Sequence, residues 1–286
     1  MAHAAPSELR CRDKRLRLDR AAVMGVLNLT PDSFSDGGRV FRNGRVDVGA
    51  AQAIAASMVD QGAAIIDVGG ESTRPGSVPV DCAEELRRVI PVVERLASSG
   101  TIVSVDTRKV EVARAALAAG ADLINDVGAF GDLEMRRAVG PSGAAVCLMH
   151  MQGEPRTMQD APSYRDVVFE VSDYLRERAR VCEIEGIERD RIVIDPGFGF
   201  GKTLSHNLAL LRGLGGVAAL GYPVLIGVSR KGMIGAMTGR SVGERLAGSV
   251  AAAVIAVQNG AKIVRAHDVA ATVDALKVAA RVMEVT

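Results

Sequence analysis

Apolar residues fall along this chain in eight short, nearly unbroken runs, at 22–29, 63–68, 101–105, 121–124, 144–149, 191–194, 223–228 and 262–264, each closed by turn-forming residues. The runs are built mainly from Val, Ile, Leu and Ala and hardly alternate with polar positions, as expected of parallel strands covered on both faces. Between them lie helical patterns such as 49–61, 83–97, 109–119 and 164–185, followed by Gly62, Gly100, Gly120 and Gly186. Glycine is favoured just past a helix because it adopts the left-handed conformation that ends it. Strand and helix alternate eight times without a linker or low-complexity segment. This predicts an α/β fold, a single (β/α)8 TIM barrel occupying 1–286 as one domain, with a doubly wound open sheet as the alternative. The stretch 241–259, rich in Ala, Val and Gly, is the expected helix before the last strand, with small residues suited to packing on the barrel or on another subunit. Residues 1–20 read as an N-terminal extension in which 12–20 forms a short solvated strand at the barrel's lower end.

Composition narrows the class. A chain of 286 residues fits one barrel as well as two average domains, and 48% hydrophobic residues with 31 glycines and no tryptophan suit an aliphatic core with many tight turns. Lys plus Arg number 35 against 34 Asp plus Glu, a formal charge of +1. Such a balance makes no global field for nucleic acid or an anionic membrane, so any anion site is local. The longest apolar stretch, 250–257, is far below the roughly 20 residues that span a bilayer. The basic segment 12–20 contains Asp13 and Asp19 and precedes no apolar run with a cleavage site, which argues against a secretory or transit peptide. Cys11, Cys82, Cys147 and Cys182 form no C-x-x-C pair, so they read as reduced thiols of a cytoplasmic protein rather than a zinc cluster or disulfide framework.

Barrel active sites are built where strands end and loops begin, and here every such position is polar. The eight expected strands lead in turn to Asn28, to Asp67 with Glu71, to Asp106, to Asn125 with Asp126, to His150, to Asp195, to Lys231, and to Arg265 with His267. A single Asp or Asn after a strand is more often a helix cap than a catalyst, and Asp67, Asp126 and Asp268 fit that plainer role. Eight polar ends at one mouth call for a ligand that satisfies them. Asp106, Asn125, Asp195 and Lys231 offer carboxylate acceptors, an amide and an ammonium, a set matched to the 2-amino-4-oxo edge of a flat heterocycle such as a pterin. Arg265 and His267, two apart on one strand, point to the same side and suit a phosphate. The string from Asp195 to Thr203 lacks the spacing of a P-loop, which sets nucleotide hydrolysis aside.

Several strings resemble the dihydropteroate synthase family: Gly25-Val-Leu-Asn-Leu-Thr-Pro-Asp-Ser-Phe-Ser-Asp-Gly-Gly38, Asp67-Val-Gly-Gly-Glu-Ser-Thr-Arg-Pro-Gly76, Ser104-Val-Asp-Thr-Arg108 and Ile124-Asn-Asp-Val127. Others are Leu148-Met-His-Met-Gln-Gly153, Asp195-Pro-Gly-Phe-Gly-Phe-Gly-Lys202, Gly227-Val-Ser-Arg-Lys231 and Val264-Arg-Ala-His-Asp268. The likeness runs over about 20–280. It implies a magnesium-dependent transferase of folate biosynthesis and a sulfonamide target, which condenses 6-hydroxymethyl-7,8-dihydropterin pyrophosphate with para-aminobenzoate and is a homodimer through late helices such as 241–259. It assigns the pterin to Asp106, Asn125, Asp195 and Lys231, with Met149 and Phe200 shaping the slot. Asn28 ligates Mg2+, and Thr73, Arg265 and His267 join it around pyrophosphate. Phe34, Asp36, Arg74 and Pro75 belong to lids over para-aminobenzoate, and catalytic work falls to Asp106, Lys231 and Arg74. The chain departs from the family at Gly232, where many members have serine, and at Gly128-Ala129-Phe130, where Ser-Gly is common. Alternatives are a pterin-binding paralogue without synthase activity and a methyltetrahydrofolate-corrinoid methyltransferase.

Overall fold

A computed structural model describes residues 6–31, 40–42, 44–72 and 76–284. In chain order its elements are β1 (Glu8–Cys11), β2 (Lys14–Arg17), β3 (Ala22–Asn28), β4 (Phe41–Arg42), β5 (Arg45–Val46), α1 (Val48–Asp60), β6 (Ile65–Gly69), α2 (Cys82–Ala97), β7 (Ile102–Asp106), α3 (Val110–Ala118), β8 (Leu123–Asp126) and α4 (Leu133–Val139). They continue with β9 (Ala145–Met149), α5 (Val167–Ile184), β10 (Ile192–Asp195), α6 (Leu204–Arg212), α7 (Leu214–Ala218), β11 (Val224–Ile226), α8 (Gly232–Thr238), α9 (Leu246–Gln258), β12 (Ala261–Ala266) and α10 (Val269–Met283). Eight of the strands, β3 and β6 to β12, close a parallel barrel in which each pairs with its neighbour in sequence and β12 returns to β3. The expected (β/α)8 barrel is therefore the fold, and the open sheet is excluded by the closing β12–β3 pairing.

Each barrel strand presents alternate residues to the interior and to the helices. The outward set, including Val23, Ile66, Val103, Ile124, Val146, Ile194, Ile226 and Val264, packs with the helices into one large core. The inward set begins with a separate apolar layer of Met24, Ile65, Ile102, Leu123, Ala145, Val193, Leu225 and Ile263. Two residues further along the strands the interior becomes polar: Asp67, Ser104, Asn125, Asp195 and Arg265 follow Ile65, Ile102, Leu123, Val193 and Ile263. One step of the pleat thus separates structural floor from chemistry.

The N-terminal segment differs from the single strand expected at 12–20. It is an antiparallel hairpin of β1 and β2, with Leu9 opposite Leu16 and the reversal at Arg12-Asp13. The strands alternate apolar and charged residues, and Leu9, Cys11, Leu16 and Leu18 turn inward to complete the lower apolar layer. The charged set anchors the hairpin, Arg10 to Asp190 at 3.0 Å, Lys14 to Asp122 at 2.8 Å, and Arg12 Nη1 to the Leu117 carbonyl at 3.1 Å. The helix expected over 241–259 is also interrupted, as a 3-10 turn at Val242–Glu244 precedes α9. Arg245 stands between them because its guanidinium is engaged with the carbonyl oxygens of Arg230 and Arg240.

Candidate active site

The polar layer is a connected network. Asp67, fully buried, accepts from Arg265 Nε at 2.6 Å, from Ser104 Oγ at 2.6 Å and from Asn125 Nδ2 at 3.4 Å. Arg265 reaches on through Nη2 to Asp106 Oδ2 at 3.2 Å, so one guanidinium bridges two carboxylates. Burial pushes the Asp106 carboxyl up to about 7, Arg265 opposing and the nearby Asp67 charge reinforcing the rise.

A second group faces it. Asp195 ends β10 and accepts from the Gly197 N–H at 2.7 Å; burial raises its pKa while Lys231 opposes the rise. Lys231 follows β11, and burial pushes its ammonium down to about 8 against the pull of Asp195. Its Nζ donates to the Phe198 carbonyl and lies 4.5 Å from the centre of the Phe200 ring. Met149 is buried at the end of β9, level with Asp195 in the strand register. The barrel therefore brings together Asp106, Asn125, Asp195, Lys231, Met149 and Phe200 around one mouth, with acceptors, a cation and an aromatic face.

Arg265 and Ala266 close the polar end of β12. The strand stops at Ala266, so His267 lies beyond it, with Nδ1 3.0 Å from Ser229 Oγ. The Arg265 guanidinium is held by Asp67 and Asp106. Two residues read as caps also have other roles. Asp67 is the centre of the network, and Asp268 takes a bidentate pair from Arg230 at 2.9 and 2.5 Å. Asp126 binds the following turn, accepting from the N–H groups of Gly128 and Phe130 at 2.7 Å each.

Residues 24–267 match the pterin binding enzyme family. The chain is 50% identical over 264 residues to dihydropteroate synthase of Escherichia coli (strain K12), covering 92% of each.

The chain belongs to the dihydropteroate synthase family.

Solved structures agree. A Yersinia pestis dihydropteroate synthase with a sulfonamide drug complex superposes with a TM-score of 0.91 at 43% identity, covering 96% of this chain and 99% of that one. A Xanthomonas albilineans dihydropteroate synthase with 4-aminobenzoic acid gives 0.90 at 50% identity, covering 98% and 99%.

For a dihydropteroate synthase two departures stand out. A Cβ on Gly232 would meet nothing within 4 Å, so the fold leaves room for the serine many members carry. At 128–130, Ala129 and Phe130 both take the left-handed conformation, at φ 51 and 54. Asp126 from one side and Arg136 and Arg178, donating to the Ala129, Phe130 and Gly131 carbonyls, from the other hold that turn. The expected lid residues Phe34, Asp36, Thr73, Arg74 and Pro75 lie outside the described residues. At the root of the second loop, Lys109 bridges Glu71 and Glu85, and Arg88 donates to the Gly70 carbonyl at 2.9 Å.

Asn28 ends β3, its Oδ1 3.5 Å from where a Cβ on Gly69 would sit. Among the described residues no group of three or more His, Cys, Asp or Glu is placed to hold a metal. A lone amide oxygen fits magnesium in its usual enzyme setting, where substrate phosphates and water complete the shell, and not an all-protein cage.

Proposed function

We propose that the protein joins 6-hydroxymethyl-7,8-dihydropterin pyrophosphate to para-aminobenzoate, giving 7,8-dihydropteroate and pyrophosphate. The observation that carries this reading is the pairing of two buried carboxylates, Asp106 and Asp195, with Lys231 over the Phe200 ring, in a barrel belonging to the dihydropteroate synthase family. The carboxylates take the adjacent N–H donors of the pterin, Asn125 completes the edge, and Lys231 donates to the ring carbonyl. Phe200 and Met149 confine the ring plane.

The same carboxylates stabilise positive charge that spreads over the pterin as its exocyclic C–O bond breaks. The amine of para-aminobenzoate then forms the C–N bond and loses its proton to solvent, a step governed by placement because an aromatic amine is a weak nucleophile. Arg265 and His267, with Thr73, are the expected partners of the departing pyrophosphate; Arg265 serves by shifting part of its bonding from Asp106 to the anion. Asn28 would hold magnesium with the substrate, and the ion supplies charge neutralisation for the leaving group. Phe34, Asp36, Arg74 and Pro75 are expected to close over para-aminobenzoate.

A cytoplasmic setting is supported by four cysteines that are all free thiols. Ile255 on α9 with Val278 and Val282 on α10 are exposed apolar residues on helices that pack against each other, which supports a homodimer through these helices.

The deciding experiment is formation of dihydropteroate and pyrophosphate by purified protein, with the pterin pyrophosphate, para-aminobenzoate and magnesium each omitted in turn. Product that requires all three is the expected result. Tight pterin binding without product would instead identify a paralogue that has lost the synthase reaction, and absence of pterin binding would overturn the ring site.

A further inference from the structure

Lys202 is a buried cation that makes no ion pair among the described residues. Its ammonium reaches His150 Nδ1, the Gly197 carbonyl and the Phe200 carbonyl, each at 3.0 Å, with the His150 carbonyl at 3.5 Å. All three ammonium donors are therefore spent on neutral acceptors. Because Nδ1 accepts, the imidazole is neutral, and burial followed by the adjacent ammonium pushes its pKa down to about 3. Burial pushes Lys202 itself down to about 7. Burying this ammonium away from any carboxylate costs desolvation energy, which its bonds to His150 and to the turn offset.

Two of the tied atoms, the Gly197 and Phe200 carbonyl oxygens, belong to the turn 195–201. Gly197, Gly199 and Gly201 all have positive φ, and a Cβ on Gly197 would lie 1.9 Å from the His150 carbonyl oxygen. Glycine has little intrinsic preference among backbone conformations, so three in one turn leave its shape to external ties. Lys202 supplies them at both ends of the Gly197–Phe200 reversal, whose own Phe200 N–H to Gly197 carbonyl bond is 3.1 Å. The His150 N–H donates to the Asp195 carbonyl at 2.9 Å, so the same histidine registers β9 against the start of the turn. On this turn ride the Asp195 carboxylate, fixed by the Gly197 N–H, and the Phe200 ring beneath Lys231.

We propose that Lys202 is a positioning residue for pterin binding: through His150 Nδ1 and the carbonyl oxygens of Gly197 and Phe200, its ammonium holds the glycine-rich turn that sets Asp195 and Phe200 against the ring. The inference rests on the reading of the barrel mouth as a pterin site. Lys202 touches no reacting atom, and its effect belongs to the pterin half of the site alone.

The test compares full-length wild type, K202M, H150A and H150N. Calorimetry with 6-hydroxymethyl-7,8-dihydropterin pyrophosphate, steady-state kinetics for both substrates and thermal melts are the readouts. K202M is expected to raise the Kd and KM for the pterin pyrophosphate about 10- to 100-fold, the scale of one charge-assisted hydrogen bond. Its KM for para-aminobenzoate stays at the wild-type value, whereas kcat falls together with pterin affinity, because the displaced Asp195 also stabilises the charge on the pterin. H150A follows K202M, whereas H150N recovers most of the affinity, since its amide oxygen stands in for Nδ1. If K202M does not fold, the two His150 variants decide alone. Wild-type pterin affinity in a folded K202M, equal losses for both substrates, or an H150N no better than H150A would overturn the proposal. A wild type that fails to bind pterin would overturn the reading of the site itself and is distinguished by that control.

Discussion

Asp106 and Lys231 are displaced toward each other in acidity, one up to about 7 and the other down to about 8, because the same burial penalises both charges. For Asp106 the folded pKa lies above an unfolded value near 3.9. The folded state therefore holds the proton more tightly, and stability falls as pH rises from about 4 through about 7. Asp106→Asn removes that cost while Arg265 keeps Asp67. At pH 8 its melting temperature should exceed that of wild type, by roughly 2–4 °C for each kcal/mol recovered, and the advantage should vanish as the pH approaches 4. A lower melting temperature at pH 8 would mean that the Arg265 pairing outweighs burial. Asp195→Asn tests the ring contact directly, with pterin affinity expected to weaken by about 1.5–3 kcal/mol, the scale of a charged hydrogen bond. Unchanged affinity in calorimetry would remove Asp195 from the ring site. From sequence alone Asp67 reads as a cap; its position two residues beyond Ile65 on the inward face, where Ser104, Arg265 and Asn125 donate to it, makes it the hub.

At the scale of elements, the strands were legible because apolar runs mark them whatever their neighbours are. Helix bounds were also close, α1 and α2 differing from the expected spans by a residue or so at their ends. The expected strand at 12–20 covers only the second half of the β1–β2 hairpin, whose alternation begins at Glu8. Leu9 is fully buried in the lower layer, at the opposite end of the strands from the polar network. Leu9→Ala is expected to destabilise by about 2–5 kcal/mol in denaturant unfolding, as for other buried leucines, while pterin affinity stays unchanged. A parallel loss of affinity would show that the floor and the site are mechanically linked. The turn at 128–130 was unreadable for a different reason. Ala and Phe signal neither turn nor positive φ, and only Asp126, Arg136 and Arg178 together make that conformation stable.

Across the whole molecule, the exposed apolar residues on α9 and α10 bear on assembly. If the proposed homodimer forms through these helices, light scattering should give a dimer mass for wild type and a monomer mass for Ile255→Glu combined with Val278→Glu, because a charge at each position is desolvated only if the surface is covered; a monomeric wild type would remove the dimer, and a dimeric double variant would remove these helices from its interface. Hydrophobic periodicity and long local strings survive without coordinates, so the eight strands, the glycine stops, the barrel and the family are already legible in the residues. The sequence also contains every residue of the polar layer. How those residues divide their bonds emerges only once the barrel has closed: Arg265 is shared by Asp67 and Asp106, His267 leans on Ser229, and Lys202 closes a turn through His150. These partners lie as many as 198 positions apart in the chain. Their pairing depends on strand register around a closed barrel, and no local pattern encodes which of several buried acceptors a long side chain will reach.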